Sequence, residues 1–140
     1  MGLILDSSVL IQAERHGLNA HHILANLCQR SGNQEIAISV VSLIELVHGA
    51  ARADSPERKS KRLSFIEELL SAVPVYPVTT AIALSTGQLD GASQAKGIRL
   101  PLTDLLIGVT ALELGYDVAT ANLRHFGLIP GLTIVNLSAL

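Results

Sequence analysis

Short apolar runs alternate along the chain with longer stretches in which apolar residues recur at helical spacing. Each short run is bounded by polar or turn-forming residues, which is typical of buried strands. The strands predicted in this way cover about 2–6, 36–39, 117–120 and 133–135. A further extended piece over 73–78 contains Pro74 and Pro77. Proline donates no backbone hydrogen bond, so this piece is predicted to lie at an edge of the sheet.

The longer stretches predict helices with recognisable beginnings and ends. Asn19 and Thr79 or Thr80 are placed as caps, and Pro56 starts a helix. Gly97 and Gly115 follow the last apolar positions of two helices and are predicted to end them. Ser42 and Thr103 are predicted to cap two more. The helices predicted in this way cover about 8–15, 20–31, 43–52, 57–72, 80–96 and 104–114.

Strands that alternate with helices predict an α/β fold. We expect an α/β/α sandwich, in which helices flank a mainly parallel central sheet of about four or five strands. The length of 140 residues fits one domain over 1–140. In such sheets, polar residues just after the strands meet in one crevice at the carboxyl edge. The residues in those positions are therefore the first candidates for function.

Three acidic residues stand at comparable places in strongly apolar sequence. Asp6 follows the first strand, Glu45 lies near the start of the helix after the second, and Asp104 opens a later helix. One interpretation is structural, because each lies near a helix N-terminus, where negative charge is favoured. Ser42-Leu43-Ile44-Glu45 matches a capping box, and Thr103-Asp104 is an ordinary helix start. Taken singly, each acid is better explained as a cap than as a catalyst.

Taken together, the three acids favour a metal site. Three carboxylates at one sheet edge repel one another unless a cation lies among them, and oxygen ligands suit Mg²⁺ or Mn²⁺. A metal ion of this kind supports hydrolysis of phosphodiesters by activating water. The chain has no CxxC, HExxH, G-x-S-x-G, P-loop or GxGxxG pattern, so other familiar catalytic sites are not indicated.

Composition and charge narrow the class of protein. The chain is 49% apolar and 3% aromatic with a net charge of −2, which predicts an aliphatic core rather than disorder. Its single cysteine, Cys28, forms no internal disulfide and suits a reducing compartment. No apolar run is long enough for a signal peptide or a membrane span. We expect a cytoplasmic protein without a membrane segment.

The basic residues are unevenly distributed. Five of the ten lie within 52–62, where they form either a phosphate-contacting patch or a solvated helix face paired with Glu57, Glu67 and Glu68. The sequence favours the second interpretation and leaves the first open.

Four segments resemble, in order, the motifs of PIN domains. The segment 6–11 is similar to their D-[TS]-[NS]-x-[LI]-[IL] start, and 118–126 is similar to their T-x-[DN]-x-R-[DH]-F motif. Between these two segments lie counterparts of the second and third motifs. The second is an acid in a helix before a small residue, and the third is D-x-x-I-x-x-x-A. The segments read DSSVLI, SLIEL followed by Gly49, DLLIGVTA from Asp104, and VATANLRHF. Their order, spacing and extent resemble single-domain PIN proteins of the VapC toxin type.

The resemblance implies an endoribonuclease with Mg²⁺ or Mn²⁺ in an acidic pocket. Our hypothesis for its mechanism is in-line attack of metal-activated water on an RNA phosphodiester, which would leave 5′-phosphate and 3′-hydroxyl ends. It also implies homodimerisation and a VapB-like antitoxin partner. By position, Asp6 and Asp104 would bind the metal, and Glu45 would hold metal-bound water or complete the pocket. The fourth acidic position falls on Asn122, which joins the catalytic set without a charge. This departure leaves open whether one or two metals bind.

Neighbouring polar residues are secondary candidates. Ser7, Ser8 and Thr120 could position water or a phosphate, and helix capping explains the two serines equally well. Arg124 and His125 could hold the RNA backbone or make a salt bridge or helix-end contact. Phe126 is predicted to lie in the core. The alternative to an enzyme is a catalytically decayed PIN-like module that binds RNA or protein, for which the missing acid at Asn122 is the sequence signal; a PIN-type DNase ranks lower.

Overall fold

A five-stranded sheet forms the centre of the chain, and all four of its strand pairings are parallel. The computed structural model describes residues 1–32 and 34–137. The strands are β1 Gly2–Leu5, β2 Glu35–Ser39, β3 Val75–Tyr76, β4 Asp117–Thr120 and β5 Ile134–Asn136. The helices are α1 Ser7–Arg15, α2 Ala20–Ser31, α3 Val40–Ala51, α4 Pro56–Ala72, α5 Thr80–Ala95, α6 Leu102–Leu114 and α7 Leu123–Phe126. The predicted α/β architecture with a central parallel sheet is confirmed.

The order of strands across the sheet is β3-β2-β1-β4-β5. The chain thus builds outward from β1 in one direction and then returns to add β4 and β5 on its other side. The direction reverses between β1 and β4, and sheets of this kind form their crevice beside the carboxyl ends of the strands at such a reversal. Asp6 directly follows β1, and Thr120 is the last residue of β4, so both lie at this point.

Alternate residues of the strands pack into two apolar layers. Leu3 and Leu5 of β1 join a cluster with α1, α2, α3 and α4, whereas Ile4 between them joins a cluster with α6 and Phe126. Side chains alternate between the faces of a strand, and helices cover both faces, so nearly every strand position must be apolar. The continuous run Leu3-Ile4-Leu5, which is at most 1% exposed, meets that requirement.

Two of the predicted helix caps are wrong. Ser39, not Ser42, is the N-cap of α3 and accepts from the Val41 N–H. The chain passes from β2 directly into α3, so the last strand residue also serves as the cap. Likewise, α6 begins after Pro101, which leaves Thr103 inside the first turn. The predicted caps at Asn19 and Thr79 are confirmed, since both side chains accept hydrogen bonds from helix N–H groups.

Apolar residues recur at helical spacing in α4, but only some of them are buried. Ile66 and Leu69 are buried, as is Phe65, but Leu63 and Leu70 are 41% and 43% exposed.

No helix among the described residues is both long and apolar enough to cross a membrane. The extended piece with two prolines is confirmed as an edge strand, β3.

Both tyrosines of the chain converge on Glu35, the first residue of β2. Tyr116 donates to Glu35 Oε1 at 2.7 Å, and Tyr76 donates to the same oxygen. The two rings meet edge to face, with centroids 6.2 Å apart. The Tyr116 ring lies over Gly2, where an added Cβ would stand 2.5 Å from a ring carbon. Gly2 therefore makes room for a contact that joins three strands of the sheet.

Candidate active site

Two hydroxyls hold the carboxylate of Asp6 at the carboxyl end of β1. Asp6 is only 3% exposed, and its Oδ2 accepts hydrogen bonds from Ser8 Oγ at 2.6 Å and from Thr120 Oγ1 at 2.9 Å. Ser8 Oγ in turn accepts from the Ala121 N–H at 3.1 Å. Because both hydroxyls bond Oδ2, they restrain the carboxylate without using its other oxygen.

Glu45 on α3 is held by a hydrogen bond from Ser7 on α1, and a second serine ties α3 to β1. Ser7 Oγ donates to Glu45 Oε1 at 2.9 Å. Ser42, which is fully buried, donates from Oγ to the Leu5 carbonyl at 3.3 Å and so ties α3 to the end of β1. The Glu45 side chain is half-buried beside the segment that carries Asp6.

Asp104 lies in the first turn of α6 and contacts a residue from the end of the chain. Its side chain is 13% exposed, and its Oδ2 is 2.7 Å from Nδ1 of His125. The amide of Asn122 is 2.9 Å from the same ring nitrogen. The backbone N–H of Asn122 donates to Thr120 Oγ1 at 2.8 Å. Thr120 therefore links the surroundings of Asp6 to those of Asp104.

The three acids interact through their charges, although they are far apart in sequence. Burial raises the pKa of Glu45 above its ordinary 4.5; the hydrogen bond from Ser7 opposes this, and the charges of Asp6 and Asp104 add to it. Burial also raises the pKa of Asp104 above 3.8, against the hydrogen bond with His125, and the charge of Asp6 raises it further. The ionised forms of Glu45 and Asp104 are thus unfavourable here, and a nearby cation would favour them.

Helix capping does not explain these acids. The side chain of Asp6 makes no cap hydrogen bond to α1 despite its N-cap position. Glu45 lies in the second turn of a helix that Ser39 caps, so the predicted capping box does not form. Asp104 follows Pro101, and α6 has no side-chain cap. The predicted capping roles of Asp6 and Glu45 are therefore wrong. The favourable position at a helix start is confirmed for Asp104, which lies in the first turn of α6.

The donor set suits a hydrated divalent ion. Within residues 1–32 and 34–137, no three His, Cys, Asp or Glu side chains form a group that could hold a metal ion. Direct ligation by Asp6, Glu45 and Asp104 together is therefore unsupported by their present arrangement. Mg²⁺ commonly keeps several waters and binds only one or two carboxylates. Carboxylates whose negative charges repel one another, as those of Asp6, Glu45 and Asp104 do, suit a Mg²⁺ ion that keeps part of its water shell.

The secondary candidates divide into those near the acids and those facing solvent. Ser7, Ser8, Thr120 and His125 all bond one of the three acids, whereas Arg124 is exposed. Phe126 is fully buried, which confirms its predicted place in the core. A salt bridge was one of the interpretations left open for His125, and the structure pairs it with Asp104. The sequence did not identify Asp104 as the partner, because the two residues lie 21 positions apart and meet only through the fold.

The basic stretch pairs differently from the expectation. The ion pairs formed there within the described residues join Arg58 to Asp54 at 3.2 Å and Arg62 to Glu14 at 3.9 Å. Neither uses the predicted partners Glu57, Glu67 or Glu68. Arg62 also donates to the Gly49 carbonyl at 2.8 Å, which ties α4 to α3. Lys59 and Lys61 are exposed, so the phosphate-contacting interpretation stays open.

A family model described as the PIN domain matches residues 3–130 of the chain. The chain belongs to the PIN-domain family. Ribonuclease VapC1 of Rickettsia felis is 29% identical to this chain over 139 residues. The matched region covers 99% of this chain and 98% of that protein. The tRNA(fMet)-specific endonuclease VapC of Salmonella typhimurium is 35% identical over 99 residues, 71% of this chain and 73% of that protein.

Chains in two solved VapBC structures share the fold over nearly the whole length. DNA-bound VapBC from Salmonella typhimurium includes a chain that is 29% identical, with a TM-score of 0.80 and coverage of 97% of this chain and 98% of that one. VapBC2 from Rickettsia felis, bound to a DNA fragment from its promoter, gives a TM-score of 0.83 at 24% identity, covering 98% and 99%. The likeness to the second structure concerns the fold alone.

Proposed function

We propose that this PIN-domain protein is an endoribonuclease of the VapC type, the toxin of a toxin–antitoxin pair. The observation that carries the proposal is the set Asp6, Glu45 and Asp104, whose charges interact at the carboxyl edge of the sheet and cap no helix. The relatives named ribonuclease or endonuclease VapC support the same activity. The substrate would be RNA, and the reaction would be hydrolysis of its phosphodiester bonds.

We infer that the activity depends on Mg²⁺ or Mn²⁺. Asp6 and Asp104 would hold the ion, and Glu45 would contact it through water or complete the pocket. The ion would polarise the phosphate and lower the pKa of a bound water. Asn122 contributes an amide without charge, so the site has three carboxylates. Their negative charge suits one divalent ion better than two.

The protein's own residues prepare the acids for this role. Ser8 and Thr120 fix Asp6 through Oδ2, and Ser7 orients Glu45. These neutral donors stabilise negative charge without forming ion pairs that would compete with a cation. Attack by water on phosphorus, with departure of the 3′ oxygen of the preceding nucleotide, would leave 5′-phosphate and 3′-hydroxyl ends.

Partners and compartment follow from the same proposal. Structures of VapBC complexes support a VapB-like antitoxin as the protein partner. Exposed Arg124, with the basic stretch 52–62, would contact the RNA backbone. Homodimerisation stays a prediction, for which Ile44 and Leu84, each 65% exposed, provide apolar surface. A cytoplasmic location also stays a prediction.

RNA cleavage by the purified protein tests the proposal. We expect cleavage of total RNA with Mg²⁺ or Mn²⁺, none with EDTA, and loss of activity in Asp6→Asn and Asp104→Asn. Asp90→Asn is the matched control, because Asp90 lies on α5 and accepts from Gln94, which an amide oxygen can also do. Cleavage by Asp6→Asn at the parent rate would refute the assignment of the site.

The same assay separates the enzyme from a decayed PIN-like binding module. The uncharged Asn122 and the lack of a tight metal-binding group within the described part of the chain are the observations that favour the module. A module of that kind would bind RNA or protein with unchanged affinity after Asp6→Asn and would cleave nothing with either metal. Mapping the ends of any product by sequencing would identify the site of cleavage.

A further inference from the structure

Nδ1 of His125 has two polar neighbours and only one hydrogen-bonding function. It lies 2.7 Å from Asp104 Oδ2 and 2.9 Å from the side-chain amide of Asn122. A ring nitrogen either donates its proton or accepts one, so it cannot accept from an amide N–H while donating to a carboxylate. The atom of Asn122 that lies 2.9 Å from Nδ1 is Nδ2. If Asp104 is ionised, Nδ1 carries the proton, and a half-turn of the Asn122 amide puts its oxygen in that place. The single N–H is then shared between Asp104 Oδ2 and the Asn122 oxygen in a three-centre hydrogen bond.

We propose that His125 is a positioning residue for Asp104 and that the Asn122 amide fixes the His125 ring in turn. The inference rests on the proposed function, since it concerns how Asp104 is presented to a metal. The Nδ1–H holds Asp104 Oδ2, so the other carboxylate oxygen would be available to bind the ion. Asn122, whose amide oxygen is occupied by His125, then acts through the ring rather than as a metal ligand.

The surroundings of His125 hold the ring in a defined place. The next residue, Phe126, is fully buried and anchors α7 in the apolar layer below the sheet's edge. Asn122 is anchored by its backbone N–H on Thr120 Oγ1, which itself holds Asp6. The His125 side chain keeps 34% of its surface exposed, yet its Nδ1 side faces the acid. These contacts favour a role toward Asp104 over the predicted contact with the RNA backbone.

Calorimetric titration of the full chain with Mn²⁺ tests the inference without relying on catalysis. In His125→Leu the Nδ1–H is lost, and Mn²⁺ affinity should fall by about tenfold or more, the usual effect of removing a group that orients a metal ligand. His125→Asn should retain most of the affinity, because its amide nitrogen stands at the same number of bonds from Cα as Nδ1. His21→Leu, which removes an exposed histidine on α2, should match the parent.

Kinetics and a double variant give further readouts. The KM for RNA at saturating Mn²⁺ should be unchanged in His125→Leu. Asn122→Ala should weaken Mn²⁺ binding alone but add little in the His125→Leu background, because the two residues act as a unit. An unchanged Mn²⁺ affinity with a raised KM would overturn the inference in favour of RNA contact. Equal losses in His125→Asn and His125→Leu, or additive losses in the double variant, would also overturn it.

Failure of the proposed function gives a different pattern. If the parent bound Mn²⁺ through Asp104 but cleaved no RNA, the nuclease proposal would be wrong. The Mn²⁺ affinities of the His125 variants would still test whether His125 positions Asp104. If the parent cleaved RNA and His125→Leu matched it in Mn²⁺ affinity and rate, the role of His125 alone would be wrong.

Discussion

Replacing Thr120 with valine removes one hydroxyl at the centre of the site and keeps the shape of the side chain. Thr120 is fully buried. Its Oγ1 donates to Asp6 Oδ2 at 2.9 Å and accepts from the Asn122 N–H at 2.8 Å. The Thr120→Val protein should therefore lose two hydrogen bonds without gaining a cavity.

The two bonds differ in strength. A hydrogen bond to a charged acceptor contributes about 1.5–3 kcal/mol, and one between neutral groups about 0.5–1.5 kcal/mol. Ser8 continues to donate to Asp6, so the loss should fall in the lower half of the summed range, about 2–3 kcal/mol. For a domain of this size, each kcal/mol lowers Tm by roughly 3 °C. The expected decrease is therefore about 6–9 °C.

Urea unfolding followed by circular dichroism measures this difference. Thr110→Val is the matched control, because Thr110 is also fully buried and its hydroxyl donates to the Leu106 carbonyl at 2.6 Å within α6. That carbonyl also has the helix's own N–H partner, so the control should cost less than about 1 kcal/mol. Equal losses of stability in the two variants would refute the importance assigned to Thr120. A further consequence is slower RNA cleavage in Thr120→Val, since Asp6 loses a restraint.

The remaining predictions concern charge, metal and backbone. Because the pKa of Glu45 is raised above 4.5, the folded metal-free protein binds more protons than the unfolded chain, and its stability falls as pH rises through that window. Glu45→Gln should raise Tm in EDTA near pH 7 but not at pH below 4.5; a gain independent of pH would contradict this. Adding Mn²⁺ should raise the Tm of the parent and leave that of Asp104→Asn nearly unchanged, as scanning calorimetry would detect. Gly2→Ala should lower the free energy of unfolding by about 1–3 kcal/mol, because its Cβ would clash with the Tyr116 ring. Gly87 lies in open space within α5, so Gly87→Ala should raise the free energy of unfolding by up to about 1 kcal/mol. Similar effects at both glycines would refute the clash.

Most of the fold was predictable because local patterns and tertiary packing agree. β4 forms over the predicted residues, and Gly115 ends α6 in a left-handed conformation with φ 70°. One error occurs where a single residue serves two elements. Ser39 closes β2 and caps α3, and a local pattern cannot show that no linker separates them.

The sequence predicted which acids form the site but not the hydrogen bonds that these acids make. Position after a strand was enough to select Asp6, because parallel strands end at one edge. Asp104 was selected as an acid that opens a helix in strongly apolar sequence. The partners of those acids, such as Thr120 for Asp6, lie up to 114 residues away. Such pairings depend on strand order, which the alternation of helices and strands leaves open. The roles assigned to these residues in metal binding and catalysis stay predictions.

The order of strands also controls when the site can exist during synthesis. Asp6 is translated at the start of the chain, but β4, which pairs with β1 and supplies Thr120, comes after residue 116. A growing chain therefore carries Asp6 and Glu45 long before Asp104, Thr120 and His125 can reach them. If the proposed nuclease depends on these residues, it would become active only after nearly all of the chain has been made.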